Sequence, residues 1–398
     1  MFDPASVRVR GPLQAHVEGF WADLLRQGYA PLSARDLLQL TAHLGRWLEA
    51  ERLALADLSD EVIAAFLRHR RRRHTHLFTR RAIEPLLGYL RGVGVIPTPL
   101  PMVDDSPIGR FVREYAAYLR RERGLAASTI RARTEFARRF VLDERPRLDW
   151  AQLSAAEVTG FILRRSHQSS IPSCKHTVTR LRSLLRFLHV QGATAHDLAS
   201  CVPAVAGWRL SGLPKALDAS QTDALLRSFD RSPVGLRDAA IVRLLLRLGL
   251  RAAEVAALDL DDNDWRAGEV AVQGKGRHES RLPLPSDVGR ALAAYLRRGR
   301  PRASARHLFL CSRAPHTAMR SSAIVAVART ALRRAGVLSG SAHLLRHTAA
   351  TQLLRGGASL PEIAHVLRHR HIDTTAIYAK VDLASLGALA RPWPGGAA

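Results

Sequence analysis

Residues 341–378, SAHLLRHTAATQLLRGGASLPEIAHVLRHRHIDTTAIY, gather side chains that can bind an anion and move protons. His343 and Arg346 stand three residues apart, so on a helix they share one face. Ser341 is placed to cap that helix, and Gly356-Gly357 to end it. Ser359 and Glu362 make a capping-box pattern for a second helix, with Pro361 in its first turn. That helix runs out at Leu367-Arg368-His369, and Asp373 can cap a third one that presents Tyr378. Upstream, Arg251 lies in the apolar stretch DAAIVRLLLRLGLRAAEVAALDL. An unpaired charge is costly there, so Arg251 must meet a carboxylate, such as Glu254, or a phosphate. The only lysines are Lys175, Lys215, Lys275 and Lys380. In so arginine-rich a chain, Lys275 in the turn Gly274-Lys275-Gly276 argues for a compact donor whose proton can be transferred.

The chain has 398 residues and a net charge of +25, from 60 basic against 35 acidic residues. Such a field favours a polyanion, most simply nucleic acid. His343-x-x-Arg346, Leu367-Arg368-His369 and Thr374-Thr375-Ala376-Ile377-Tyr378, preceded by Gly249-Leu250-Arg251-x-x-Glu254 and Lys275, form an ordered set. This set resembles the signature of the tyrosine recombinase (phage-integrase) family, Xer and integrase types included. It departs at one point, since Arg368 stands where the family usually has glycine.

The resemblance implies that Tyr378 attacks a DNA phosphodiester and leaves a 3′-phosphotyrosyl ester, whose retained bond energy lets strands rejoin without ATP. Arg251 and Arg346 would hold the non-bridging oxygens as bidentate forks and offset charge developing on phosphorus, with Glu254 supporting Arg251. Lys275 would protonate the leaving 5′-hydroxyl, while His343 and His369 would orient the phosphate and manage protons. A tyrosine with a pKa near 10 is protonated at neutral pH, a deficit of roughly 4 kcal/mol that nearby Arg and His can reduce. The activity implied is site-specific recombination, for integration, excision or transposition of a mobile element. Its partners would be double-stranded DNA, a homotetramer on two DNA sites passing through a Holliday junction, and accessory proteins. No cofactor and no metal is expected. Two other readings fit the same residues less fully: a type IB topoisomerase, and a basic DNA-binding protein that does not cut.

The elements that must position this set read as mainly α and multidomain. Helical periodicity runs through residues 12–96 and again through 106–193. The two stretches resemble each other, with Gly28, Leu58, Phe66, Leu90 and Gly94 matching Gly124, Leu153, Phe161, Leu188 and Gly192 at offsets of about 95 to 98 residues. Two bundles of one type, or two unrelated four-helix bundles, would give this pattern. The expected layout is an N-terminal bundle at 1–100, a proline-rich connection, and a bundle at 106–193 that the family resemblance implies is a SAM-like core-binding domain. A linker at 194–216, a mainly helical catalytic domain at 217–382 and a tail at 383–398 follow. In the catalytic domain Val270, Val272, Leu282 and Leu284 alternate on two short strands around the Lys275 turn. The tail can form one more helix, docking on a neighbouring protomer or on its own subunit.

For DNA contact the sequence offers Arg70, Arg71, Arg72 and Arg73, which equally suit a solvated helix end, together with Lys215, Arg277 and Arg368. His347, His365 and His371 are spares near the catalytic set. A metal pair of His365 and His369, with His371 as third ligand, is disfavoured because His371 lies beyond the helix end. The run Asp259, Asp261, Asp262, Asp264 suits a solvated loop better than a Mg²⁺ site. Cys174, Cys201 and Cys311 are far apart and form no C-x-x-C pair. No long apolar run and no signal peptide are present, so a cytoplasmic, nucleoid-associated protein is expected.

Overall fold

The computed structural model describes residues 7–98, 103–206, 215–274, 279–369 and 374–381. Lys275, Arg277, His371, Asp373 and the tail at 383–398 therefore lie outside the described residues. Residues 1–98 and 212–398 form one compact unit, and residues 99–211 form a second.

The first bundle comprises α1 (Val17–Arg26), α2 (Pro31–Ala50), α3 (Asp60–Arg71) and α4 (Arg80–Gly92). Its core takes one apolar stripe from each helix: Phe20 and Leu24, Leu38 and Leu44, Ile63 and Phe66, Leu87 and Leu90. The second bundle comprises α5 (Pro107–Arg121), α6 (Ala127–Glu144), α7 (Ala155–Gln168) and α8 (Ile171–Val190). Ser106 and Ser154 cap α5 and α7, the latter in a reciprocal box with Glu157.

The two bundles share details that generic four-helix packing does not require. Gly28 and Gly124 both take positive φ after the first helix, and Gly94 and Gly192 do so after the fourth. A 3₁₀ turn precedes the third helix in each, at Leu55–Asp57 and at Trp150–Gln152. Arg52 and Leu148, both non-glycine residues, adopt φ of 58° in the second connection of each bundle. Side chains rarely accept that region, so its recurrence at matching places speaks for one ancestral plan. Gly28 has a further duty, because a Cβ there would lie 2.3 Å from the ring of His316 in the C-terminal part of the same unit. The second bundle also extends past its expected end. Leu198, Ala199 and Val202 are buried in its core, and Arg182 donates to the Val202 carbonyl at 2.7 Å. The connection expected from residue 194 thus starts as part of the bundle.

The C-terminal part is mainly helical with a small sheet. Its central helix, α10 (Pro233–Arg247), follows α9 (Ala219–Arg227), and its C-terminal two-thirds are apolar almost all round. Ala240, Ile241, Val242, Leu244, Leu245 and Leu246 are all fully buried, as a helix at the middle of a core requires. After α11 (Ala252–Ala257) comes an antiparallel sheet of β1 (Asn263–Asp264), β2 (Glu269–Gln273) and β3 (Glu279–Pro283). Val270 pairs with Leu282 and Val272 with Ser280, which turns both valines and Leu282 into the core. Then follow α12 (Ser286–Ala294), α13 (Ser321–Arg334), α14 (Ala342–Arg355), α15 (Leu360–Val366) and a 3₁₀ turn at Ala376–Val381. No described helix is long and apolar enough to cross a membrane.

Gly249 ends the α10 segment at φ 58°, and a Cβ there would sit 2.5 Å from Leu367 Cδ2. Both the backbone conformation and the close approach demand glycine. Gly249→Ala should lower unfolding stability by about 1–3 kcal/mol. Chemical denaturation would check this, and an unchanged midpoint would refute the packing argument.

Candidate active site

Five elements converge on one polar cluster. Gly249 and Arg251 bring the end of α10 and the start of α11; α14 carries His343, Arg346 and His347. The end of α15 brings Leu367, Arg368 and His369, and the last 3₁₀ turn carries Tyr378. The caps are those the sequence specifies: Ser341 Oγ accepts from the His343 N–H, and Ser359 and Glu362 satisfy each other's backbone donors. Tyr378 packs in a small apolar cluster with Ala350, Ile363 and Leu367.

Arg346 is 4% exposed and donates to the carbonyls of Gly249 and Leu367. Burial first, then the neighbouring Arg251 charge, push its pKa down to about 10, so it stays cationic near neutrality. Arg251 is more open, its side chain 41% exposed. It donates to Glu254 Oε1 at 2.6 Å and to the Arg368 carbonyl at 3.2 Å. Its backbone N–H also donates to Glu254 Oε2 at 2.7 Å, so Glu254 caps α11 and orients the guanidinium together. Burial raises the Glu254 carboxyl, but Arg368 and the donors from Arg251 outweigh it and hold the pKa below the usual carboxylate value.

The Tyr378 hydroxyl is hydrogen-bonded to His347 Nδ1 at 2.8 Å. His343 stacks edge-on to His347, with centroids 4.4 Å apart. His369 Nδ1 meets Thr375 Oγ1 at 2.6 Å, which ties the end of α15 to the segment carrying the tyrosine. Burial pushes Tyr378 up to about 12, against the lowering pull of Arg346. Burial and the surrounding positive groups push His347 and His369 down to about 4 and lower His343 as well.

The structure thus brings Arg251, Glu254, His343, Arg346, His369 and Tyr378 together, and adds His347, which the sequence reading set aside as a spare. A usable signal existed: His343 and His347 are four apart on α14, so the second histidine shares the face of the first. Two expected DNA contacts turn inward instead. Arg368, its side chain 8% exposed, donates to Glu254 Oε2 at 2.8 Å, because a buried carboxylate at that distance outbids solvent. It also takes φ 53°, the conformation for which the family's usual glycine is suited. Arg70 is 4% exposed and donates to the Leu77 carbonyl and to His43. Arg71, Arg72, Arg73 and Lys215 are exposed, with Arg71 also over the ring of Phe78. His365 is exposed as well. The acidic run is used locally: Asp261 pairs with Arg306, and Asp262 and Asp264 accept backbone N–H groups.

Residues 215–384 match the phage integrase family. The chain is 40% identical over 394 residues to the putative integrase/recombinase y4rA of Sinorhizobium fredii, covering 97% of this chain and 95% of that protein. It is 34% identical over 303 residues to the tyrosine recombinase XerD of Mycobacterium tuberculosis, covering 71% of this chain and 95% of that one. This chain belongs to the phage integrase family. It is therefore an enzyme of the tyrosine recombinase class. Its fold is similar to that of the XerH site-specific recombinase bound to difH substrate, with 17% identity, TM-score 0.55, and coverage of 83% of this chain and 95% of that one. The Tn1549 transposon integrase in complex with transposon right end DNA has a similar fold, with 16% identity, TM-score 0.54, and coverage of 69% and 99%. The y4rA match spans nearly the whole chain, so the first bundle belongs to this type of integrase-family protein and is no isolated addition.

Two tests follow from this geometry. If Arg368 combines an ion pair with a glycine-like backbone, Arg368→Ala loses the pair and keeps the strain. Arg368→Gly loses the pair and relieves the strain, and should be more stable than the alanine variant by about 1 kcal/mol in denaturant melts. Equal stabilities would show that the backbone carries no strain. For pH, His347 and His369 bind protons near 4 when folded, against 6.5 for an ordinary histidine. Between those values the unfolded chain holds protons that the folded chain refuses, so stability present above pH 6.5 falls as pH drops toward 4. A His347→Gln/His369→Gln variant should show a shallower loss between pH 7 and about 4.5 than wild type. Parallel curves would exclude these histidines as the source.

Proposed function

We propose that this chain is a site-specific DNA recombinase that cuts and rejoins strands with Tyr378 as the nucleophile. The observation that carries the reading is the Tyr378 hydroxyl held at 2.8 Å from His347 beside the buried Arg346. The scissile phosphate sits on the Arg251 and Arg346 guanidinium groups, which supply planar donors to its non-bridging oxygens. Arg346 is positioned by two carbonyls and Arg251 by Glu254, so neither has to reorganise as charge builds on phosphorus.

In the cutting step the Tyr378 oxygen forms a bond to phosphorus, and its proton passes to His347 Nδ1. The bond from phosphorus to the 5′-oxygen breaks, and that oxygen takes a proton from Lys275, the role that the family likeness gives it. His343 and His369 orient the phosphate and manage protons. The phosphate's own negative charge raises the histidines' proton affinity from its depressed resting value, so arrival of DNA switches His347 from spectator to base. Rejoining runs the same step backwards with a 5′-hydroxyl from another strand. The recombining assembly is a tetramer on two duplex sites, formed with accessory proteins and serving a mobile element. The bundles at residues 1–100 and 106–193 contribute DNA contacts, the second as the core-binding clamp.

Covalent trapping tests this. Wild-type protein in EDTA, incubated with nicked duplexes tiled from DNA flanking its own gene, should give a protein–DNA adduct that maps to Tyr378. Tyr378→Phe should give none, and His347→Gln should slow adduct formation roughly 100-fold while DNA binding persists. Cleavage that needs added Mg²⁺ and survives in the Phe variant would refute the reading.

A further inference from the structure

A cavity of about 380 Å³ opens between α2 and α3 of the first bundle, far in sequence from the catalytic residues. Small-ligand sites span roughly 300–1,000 Å³, so it is large enough to matter. Its walls are cationic. Arg46 and Arg73 reach it from exposed positions, and Arg70 stands buried at its base. Among the described residues no carboxylate pairs with Arg70, whose guanidinium is held only by the Leu77 carbonyl and His43. Glu51 is the one carboxylate among the described residues lining the cavity. A cation drawn out of water without a counter-charge is a standing cost that a bound anion would relieve. The remaining wall is aromatic. His43 and His74 lie ring to ring at 4.7 Å, and the half-buried Trp47 leans on Phe66 at 5.7 Å.

The second bundle makes this composition informative. It has a cavity of about 340 Å³ between α6 and α7, where Phe161 and Arg165 occupy the places of Phe66 and Arg70. There Glu135 pairs with Arg139 at 2.8 Å, Arg165 lies over the Phe161 ring, and Asp143 stands where the first bundle has Trp47. The plan common to both bundles therefore tolerates carboxylates at this spot. The first bundle has Glu51 as the one carboxylate among its described lining residues and presents an indole at the place of Asp143. Trp47 packs on Phe66 and the core with part of its ring, and the part that lines the cavity suits a ligand with a phosphate and a flat ring.

We infer that the α2–α3 cavity binds an unpaired nucleotide of the DNA, its phosphate on Arg46, Arg70 and Arg73 and its base on Trp47. A base inside a duplex is stacked on its neighbours and has no free face to lay on an indole, so the ligand is a strand end or a locally opened position rather than intact duplex. The assignment to DNA rests on the recombinase reading above.

The test uses full-length protein and tryptophan fluorescence, with Trp47→Phe subtracted to isolate the signal of that residue. The probes are 5′-phosphorylated trithymidylate, thymidine 5′-monophosphate, inorganic phosphate and a blunt duplex. The trinucleotide should quench Trp47 saturably, the blunt duplex should not, and Arg46→Gln/Arg73→Gln should weaken trinucleotide binding at least ten-fold. Both arginines are exposed, so the variant should keep the wild-type melting profile. Absence of a saturable Trp47 signal, or one indifferent to the two arginines, would overturn the site. Tighter binding of the mononucleotide than of the trinucleotide would overturn its assignment to DNA. Adduct formation at Tyr378 is scored separately on the same preparation. An adduct without a Trp47 response rejects the cavity alone, and no adduct in wild type rejects the recombinase reading instead.

Discussion

The site hangs on one buried cation. Arg346 reaches from the middle of α14 and bonds the carbonyl of Gly249 on one side and of Leu367 on the other. Each carbonyl lies just past the end of a helix, where backbone acceptors lack partners and the helix dipole favours positive charge. One side chain thereby pins three helices and stays charged where it is needed. The glycine at 249 follows from the same arrangement, since Leu367 must close over it for its carbonyl to meet the guanidinium.

Glu254 does for the rim what Arg346 does for the floor. It receives the Arg251 backbone N–H, the Arg251 guanidinium and the Arg368 guanidinium, so one carboxylate is shared by two cations. Sharing leaves Arg251 under-neutralised and partly exposed, a state suited to receiving a phosphate. Arg368 is where this protein departs from the family's usual glycine, and the pair with Glu254 supplies a physical reason. The side chain gained at that position anchors the carboxylate that positions Arg251. Arg368 itself takes a left-handed φ of 53° at the turn into His369.

Features set by local chemistry could be read before any coordinates. Capping at Ser341 and Ser359, the break at Gly249, the strands around Val270 and Leu282, and the matching glycines of the two bundles all depend on neighbours a few residues away. Features set by long-range packing could not. Arg368 meets a carboxylate 114 residues distant, and nothing in its neighbourhood announces that partner. Arg70 looks identical to Arg71, Arg72 and Arg73 in a basic run, yet helix phase turns it alone among them toward the core. The left-handed Arg52 and Leu148 carry no residue-type signal, and their equivalence appears only when both bundles are seen. His347 lay between these cases: its helix face was predictable, but its partner depended on where a separate segment places Tyr378.

That placement leaves the Tyr378 hydroxyl guarded at rest. The hydroxyl is buried, its proton held by a pKa near 12, and the base bonded to it among the described residues is a histidine whose pKa near 4 makes it an indifferent acceptor. Both values are displaced in the direction that keeps the proton on oxygen. The arginines that depress the histidines are the same groups that a bound phosphate would neutralise. Burial is the largest cause of the low His347 pKa, and an anion at Arg346 would offset the positive charge that adds to it. Burial supplies most of the restraint, and an anion's charge acts against it through side chains already in place.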